Sequence, residues 1–314
     1  WQKGEEKTIV LAITDTGCGE ALAYSTDGGE TFTYYEGNPV IKHSGRDPKL
    51  VWYEPGKHWV IAVFDQDKEH GRNVAFYTST DLKAWTCRSH LPGYFECPEL
   101  FELPVDPASP DGSAAAGGDP NRTKWVVFAA DARYAVGDFD GKTFTPDHEG
   151  KHRLHWGNYY ASQCFSNPPD GRVVQMGWAR IDMPDMPFNQ TFTVPTRLTL
   201  RTTDDGIRMF ATPIKELETL RKPNPKTVEN TALSADKPSV EIDAPGQLYD
   251  ILVTLKQGTA RKAVLRFGEN AVTYDFGAGK LDDMPLAVKG GRVTFRVLVD
   301  RPMVEVIGGN GACY

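Results

Sequence analysis

The 314-residue sequence has no apolar run approaching 18 residues, so it holds no hydrophobic helix long enough to cross a bilayer, and no membrane partner is expected. It also lacks a basic excess: 35 Lys and Arg stand against 42 Asp and Glu, for a net charge of −7. Nucleic-acid binders draw their affinity from clustered Lys and Arg, so this balance argues against such a partner. The five cysteines (Cys18, Cys87, Cys97, Cys164, Cys313) form no C-x-x-C pair and no ligand cluster. An odd, scattered set reads as free thiols, and no metal site is expected from it. No Asp-rich loop of the EF-hand type points to calcium. The opening Trp1-Gln2-Lys3-Gly4 includes no initiator Met and carries neither the basic nor the apolar region of a signal peptide. A strand pattern starts almost at once, at Thr8, and another ends just before Tyr314. Both ends are therefore expected to be cut from a longer chain.

Amphipathic helical periodicity is nearly missing too. Residues 213–221, with Ile214, Leu217 and Leu220, are the one short helical candidate. What the chain has instead is 30 Gly, 22 Pro and 11% aromatics. Strand-like runs recur about every ten residues, among them Trp59 to Phe64, Val74 to Tyr77 and Trp125 to Ala129. They are β-branched and aromatic, with Gly, Pro, Asp and Asn between them, so the fold class is all-β.

A repeat lies within this pattern. Tyr24 to Phe32, Tyr77 to Trp85 and Val136 to Phe144 each read as strand, Asp turn, aromatic, and they start 53 and 59 residues apart. The turn aspartates (Asp27, Asp81, Asp140) can accept backbone N–H groups while the aromatic packs back over the hairpin. A period near 50 with about four strands per unit is the signature of a propeller blade, although such turns also occur in unrelated hairpins. Residues 108–123 read as a Gly-rich surface insertion. Prolines 223, 225 and 238 without apolar period mark a linker over 223–238. It separates a propeller region, 1–222, from 239–314, where short alternating runs without the repeat suggest a β-sandwich.

Two acid-bearing segments stand just before strands: Arg46-Asp47-Pro48 and Glu96-Cys97-Pro98-Glu99. Asp47 and Glu96 are 49 residues apart, about one blade, and equivalent positions on neighbouring blades face one central funnel. Two carboxylates in a cleft suit glycoside chemistry, with Arg46 holding one ionised and offering a planar fork to hydroxyls. On spacing alone, both acids could equally cap turns.

Longer stretches carry a resemblance. Asn38-Pro39-Val40 with Gly45-Arg46-Asp47-Pro48, then Glu96-Cys97-Pro98-Glu99-Leu100-Phe101, resemble segments of glycoside hydrolase family 32. Trp156 to Ser162, Met176-Gly177-Trp178, Pro187 to Leu200 and Val299 to Val306 are similar to later segments in the same order, so the likeness covers nearly the whole chain. It implies a five-bladed β-propeller, incomplete at its N-terminus, followed by a β-sandwich. It implies hydrolysis of β-fructofuranosidic bonds in levan, inulin or sucrose, with retention through a covalent fructosyl-enzyme and no cofactor. Glu96 would be the general acid/base, and Asp47 would bind fructose hydroxyls and stabilise the transition state. Arg46 would orient acids and sugar, and Trp178 would wall the fructose subsite, unless it is a core aromatic between blades. Tyr159 or Tyr160 would line that subsite.

Two departures bear on this. The family's nucleophile is the Asp of an N-terminal W-M-N-D-P-N-G segment, which this sequence does not contain. Gly118-Asp119-Pro120-Asn121 matches half of it, but follows the Glu96 segment and lacks the Trp-Met, so Asp119 is not taken as the nucleophile. The chain by itself is therefore expected to be inactive. Thr196 stands where the family has a glutamate, which puts that residue's contact in doubt. The Phe188-Asn189-Gln190 run leans towards fructan over sucrose, and polymer-degrading members act outside the cytoplasm, so a secreted or periplasmic protein is expected. A non-catalytic fructan-binding propeller stays open as a rival. A sialidase is disfavoured because no arginine pattern of that kind aligns.

Overall fold

The computed structural model of the chain describes residues 7–106, 122–166 and 168–314. Asp119 and most of the 108–123 insertion lie outside the described residues. The chain divides into two compact units, one of residues 1–180 and 191–211, the other of 181–190 and 212–314.

Among the described residues, the first unit is a succession of four antiparallel sheets. The first holds β1 (Ile9–Asp15), β2 (Gly19–Ser25) and β3 (Thr33–Tyr34), in that order. The second is the meander β4 (Arg46–Tyr53), β5 (His58–Asp67), β6 (Gly71–Ser79) and β7 (Thr86–Pro92). The third joins β8 (Glu99–Pro104), β9 (Thr123–Phe128), β10 (Arg133–Phe139) and β11 (Phe144–Pro146), with β12 (His152–Arg153) also on β10. The fourth joins β13 (Tyr159–Cys164), β14 (Val174–Ala179), β16 (Thr196–Thr203) and β17 (Gly206–Pro213), with β15 (Thr191–Phe192) on β14.

Stacking of these sheets explains the apolar runs. In β5, Val60 and Ala62 join Val74 and Phe76 in a core shared with Leu100, Val127, Ala135 and Phe139 of the third sheet. The alternate residues, Ile61 and Val63, pack with Ala75 and Ile41 on the other face. A strand buried on both faces reads as a continuous apolar run rather than an alternating one. The Asp-turn repeats fall on the hairpins β2–β3, β6–β7 and β10–β11. As expected, Asp27 accepts the Thr31 N–H at 3.0 Å, Asp81 those of Lys83 and Ala84 at 2.9 Å, and Asp140 those of Lys142 and Thr143 at 2.8 and 2.7 Å. Phe144 packs back into the core, whereas Phe32 remains exposed.

In the second unit the helical candidate is a short 3₁₀ turn, Lys215–Leu220, with no buried residue. Its apolar residues are not packed away, Leu217 being half-buried and Leu220 exposed, and helices of this length depend on packing. Residues 221–247 carry no strand. Then β18 (Leu248–Lys256), the short β19 (Lys262–Phe267), β20 (Asn270–Asp275), β21 (Lys280–Leu281) and β22 (Met284–Pro285), and the closing β23 (Arg292–Asp300) and β24 (Met303–Gly308) form two sheets, of orders β18-β23-β24 and β19-β20-β21-β22. β23 buries Val293, Phe295, Val297 and Val299 on one face, the alternation expected of a half-buried strand.

Candidate active site

Successive sheets of the first unit meet through irregular backbone. Arg46 pairs with Phe64 and Lys49 with Ala62, so β4 slips by one residue between them. Pro48 has no N–H for the ladder, and the bulge falls there. A Cβ on the preceding Gly45 would sit 1.8 Å from the Phe64 carbonyl oxygen, so only glycine allows this approach. Asp47 takes φ 67, and Glu96 and Cys97, just before β8, take φ 55 and 43. In β13, Tyr160 pairs with Trp178 and Gln163 with Met176, a second bulge at which Ala161 takes φ 47. Non-glycine residues in this region cost on the order of 1–3 kcal/mol each and gather where side chains must be aimed against the regular pleat.

These distortions converge on one cluster. Asp47 Oδ2 accepts the Cys97 backbone N–H at 3.0 Å, and the Asp47 N–H donates to Thr14 Oγ1 of β1 at 2.9 Å. Arg46 Nη2 donates to Glu96 Oε1, and its Nε lies 3.8 Å from Asp47 Oδ2. Tyr160 donates its hydroxyl to Glu96 Oε2. One guanidinium thus ties together the two carboxylates singled out in the sequence, and all four sheets contribute. The Ala130 N–H donates to the Glu96 carbonyl at 3.1 Å, and the Ala161 N–H donates to the Ala130 carbonyl at 3.0 Å, which fixes the third sheet against the fourth. Beneath this cluster Lys49 Nζ lies 2.8 Å from the fully buried Glu99 and 3.4 Å from the Cys164 carbonyl.

Burial alone would push the Glu96 carboxyl up. The hydrogen bonds from Tyr160 and Arg46, and the charge of Arg46, outweigh it and hold the group below its ordinary value. Arg46 is raised by the same bond to Glu96. Tyr160 is raised by burial and by the carboxylate it serves. Burial, then the charge of Asp47, pushes the Cys97 thiol up to about 12, so it does not compete as a nucleophile. Burial also pushes Glu99 up, against the opposing charge of Lys49.

The aromatic wall is built from β13 and β14. Trp178 lies edge-on to Tyr160 at 6.4 Å between ring centroids, and the Arg180 guanidinium stands 4.5 Å from the Tyr160 centroid. Trp178 is 41% exposed, so its ring is an open face and not a core aromatic. Tyr159 does not reach Glu96: as the next residue on a strand it points the other way, donating to Gln175 Oε1 at 3.0 Å and stacking on His155 at 3.8 Å. Tyr160 is therefore the tyrosine of this cluster. Arg180, Thr14 and the Lys49–Glu99 pair were not singled out from the sequence, because only strand pairing shows which residues meet across sheets. The arrangement offers one carboxyl gripped by two donors, a second carboxylate beside it, a fixed cation and an exposed indole. That set can move a proton at an oxygen and hold a hydroxyl-rich ring.

The model of the glycosyl hydrolases family 32 N-terminal domain matches residues 12–213. The chain is 33% identical to a levanase of Bacillus subtilis (strain 168) over 99% of its own length and 52% of the levanase. It is 26% identical to an extracellular exo-inulinase of Aspergillus niger, over 93% of this chain and 64% of that one. The chain thus spans about half to two thirds of these relatives. An exo-inulinase structure from Aspergillus awamori superposes with a TM-score of 0.81 at 24% identity, covering 100% of this chain and 74% of the other, a likeness of fold.

Proposed function

Because the chain belongs to glycosyl hydrolase family 32, we propose that its Glu96–Asp47–Arg46 cluster serves the hydrolysis of β-fructofuranosidic bonds in fructans or sucrose, with retention of configuration. The observation that carries this reading is the pair of carboxylates from neighbouring sheets bridged by Arg46, with Tyr160 on the far oxygen of Glu96. Glu96 gives its proton to the departing oxygen and later takes one from water. Asp47 holds ring hydroxyls and offsets the positive charge that develops on the sugar. Arg46 fixes the spacing of both acids, Tyr160 orients Glu96, and Trp178 lines the sugar face.

In this reading the four sheets are blades of a five-bladed propeller, of which residues 1–222 are an N-terminally incomplete part. The second unit holds the 223–238 linker and a β-sandwich over 239–314. The nucleophile comes from a carboxylate outside the motifs of this sequence, so activity belongs to a longer protein. Similarity to levanase and exo-inulinase supports a fructan substrate, and the extracellular exo-inulinase supports a secreted or periplasmic location. The reading requires no cofactor. A fructan-binding propeller without turnover is the second reading. The low-lying Glu96 carboxyl favours it, since an ionised acid binds hydroxyls but has no proton to give.

The test is Glu96→Ala in a chain that carries the W-M-N-D-P-N-G segment. Loss of general acid–base assistance should lower kcat by roughly 10² to 10⁴-fold with little change in KM. Substrates with good leaving groups should suffer less. Equal losses for good and poor leaving groups would remove Glu96 from the acid/base role. Binding of inulin or levan with no turnover in the unsubstituted protein would establish the binding module.

A further inference from the structure

One face of the second sheet, apart from the Glu96 cluster, brings together ligands of the type that late transition metals prefer. Asp67 ends β5, and His70 stands in the turn before Gly71 opens β6. Cys87 and His90 lie on β7, three residues apart, and on a regular strand they would point to opposite faces. The register prevents this. Cys87 pairs with Tyr77, Ser89 with Phe76 and His90 with Ala75, so Arg88 is an inserted bulge residue. Tyr77 and Ala75 share a face, and the bulge therefore places Cys87 and His90 on that face as well. Cys87 Sγ lies 3.4 Å from His90 Nε2.

The protonation of His90 follows from its neighbour. Asn73 is fully buried, and its amide nitrogen donates to the carbonyls of Asp65 at 3.2 Å and Gly71 at 3.0 Å. Its Oδ1, 2.9 Å from His90 Nδ1, is thus the acceptor, and Nδ1 of His90 carries the hydrogen. A neutral His90 then presents the Nε2 lone pair towards Cys87. A histidine held through its other nitrogen by a buried acceptor is the usual support of a metal ligand. At the turn, Asp67 Oδ1 accepts the backbone N–H groups of Glu69 and His70 at 2.8 and 2.6 Å, and Oδ2 faces His70 Nδ1 at 2.9 Å. Asp67, His70 and His90 each offer one ligand atom, all within 4.8 Å of one another.

We propose that Asp67, His70 and His90 form a binding site for Zn²⁺, and that Cys87, whose Sγ adjoins His90 but is not among the ligand atoms within 4.8 Å of one another, is drawn in as fourth ligand. Two ligands at about 2.0 and 2.3 Å from a tetrahedral zinc stand roughly 3.5 Å apart, close to the observed spacing of His90 Nε2 and Cys87 Sγ. The rings of His70 and His90 stack at 3.9 Å and 10°, and parallel lone pairs do not converge on one ion. His70 must therefore turn out of the stack on binding. Its side-chain bond is to Asp67 in its own turn, and its ring is partly exposed. Four ligands replace water around the ion, and Cys87 enters as the thiolate, with its proton released to solvent. The site is distinct from the Glu96 cluster and does not depend on the function proposed for it.

The experiment is calorimetric titration of the 314-residue chain with Zn²⁺ near neutral pH, repeated with Co²⁺ under an absorption spectrum. The expected result is one equivalent bound with proton release, and a sulfur-to-cobalt charge-transfer band. His70→Ala and His90→Ala should each weaken binding by at least about tenfold. Cys87→Ser should abolish the band, and all three variants should keep the circular dichroism of the parent, although His90→Ala, which leaves the buried Asn73 Oδ1 without its donor, should melt lower. His148→Ala/His152→Ala, which removes another close histidine pair, should leave binding intact. No saturable binding, unchanged affinity in a folded His70→Ala/His90→Ala variant, or loss of binding in the His148/His152 variant would overturn the proposal. A charge-transfer band that persists in Cys87→Ser would remove Cys87 from the ligand set.

Discussion

Glu96 has to hold a proton to act as an acid, yet Tyr160 and Arg46 both stabilise its ionised form. A like charge beside it and a sugar that expels water both push a carboxyl up, so a nucleophile carboxylate and bound substrate would shift Glu96 towards the acid form. Tyr160→Phe removes the largest opposing interaction and should raise the Glu96 pKa. A carboxyl titration followed by NMR on ¹³C-labelled glutamate checks this, and an unmoved midpoint would dissociate Tyr160 from Glu96. The sign for stability follows. A carboxyl depressed in the folded state contributes stability above its unfolded value, near 4.5, and loses it as pH falls through the lower folded value. The variant should lose that contribution at higher pH than the parent. At this scale Asp47, Glu96 and Arg46 were legible because they sit in contiguous motifs. Choosing Tyr160 over Tyr159 needed the strand direction, and two adjacent tyrosines give no sign of it in the sequence.

Single strands show what such pairing demands. A Cβ on Gly177 would lie 2.2 Å from the Tyr159 ring. Gly177→Ala should therefore destabilise the first unit by about 1–3 kcal/mol, as overpacking does, and Tyr159→Leu should recover much of it in the double variant. Thermal melts of the cycle test this, with Gly258→Ala, which meets nothing within 4 Å, as control. Additive losses would mean that the backbone yields and the clash is not felt. The Asp-turn hairpins were legible because a turn aspartate satisfies backbone N–H groups only a few residues away. The bulges at Asp47-Pro48, Ala161 and Arg88 were not, since a bulge exists only relative to a partner strand. The Asp67–His70–Cys87–His90 cluster went unseen for that reason: Cys87 and His90 share a face only once Arg88 is unpaired.

At the scale of the whole chain, the all-β class could be read from repeated short apolar runs. On the proposed reading, turnover depends on a nucleophile that the motifs of this sequence do not supply. Retaining hydrolysis needs a nucleophile as well as an acid, so the 314-residue chain should release no fructose from sucrose, inulin or levan. Turnover that survives purification and disappears in Glu96→Gln would show that another carboxylate serves. The outer face of β1 makes a separate claim on behaviour in solution. Ile9, Leu11 and Ile13 alternate along it at 40, 40 and 37% exposure, an apolar stripe on a strand that, among the described residues, pairs with β2 alone. Such a stripe beside open backbone N–H and C=O groups invites edge-to-edge pairing, and a charge placed in it is how natural edge strands resist this. Leu11→Lys should therefore leave the melting temperature nearly unchanged, because the side chain is not in the core, and should extend the concentration range in which light scattering reports a monomer. If the parent chain already stays monomeric across that range, or if Leu11→Lys lowers the melting temperature as a core change would, the stripe is covered in solution and is no association surface.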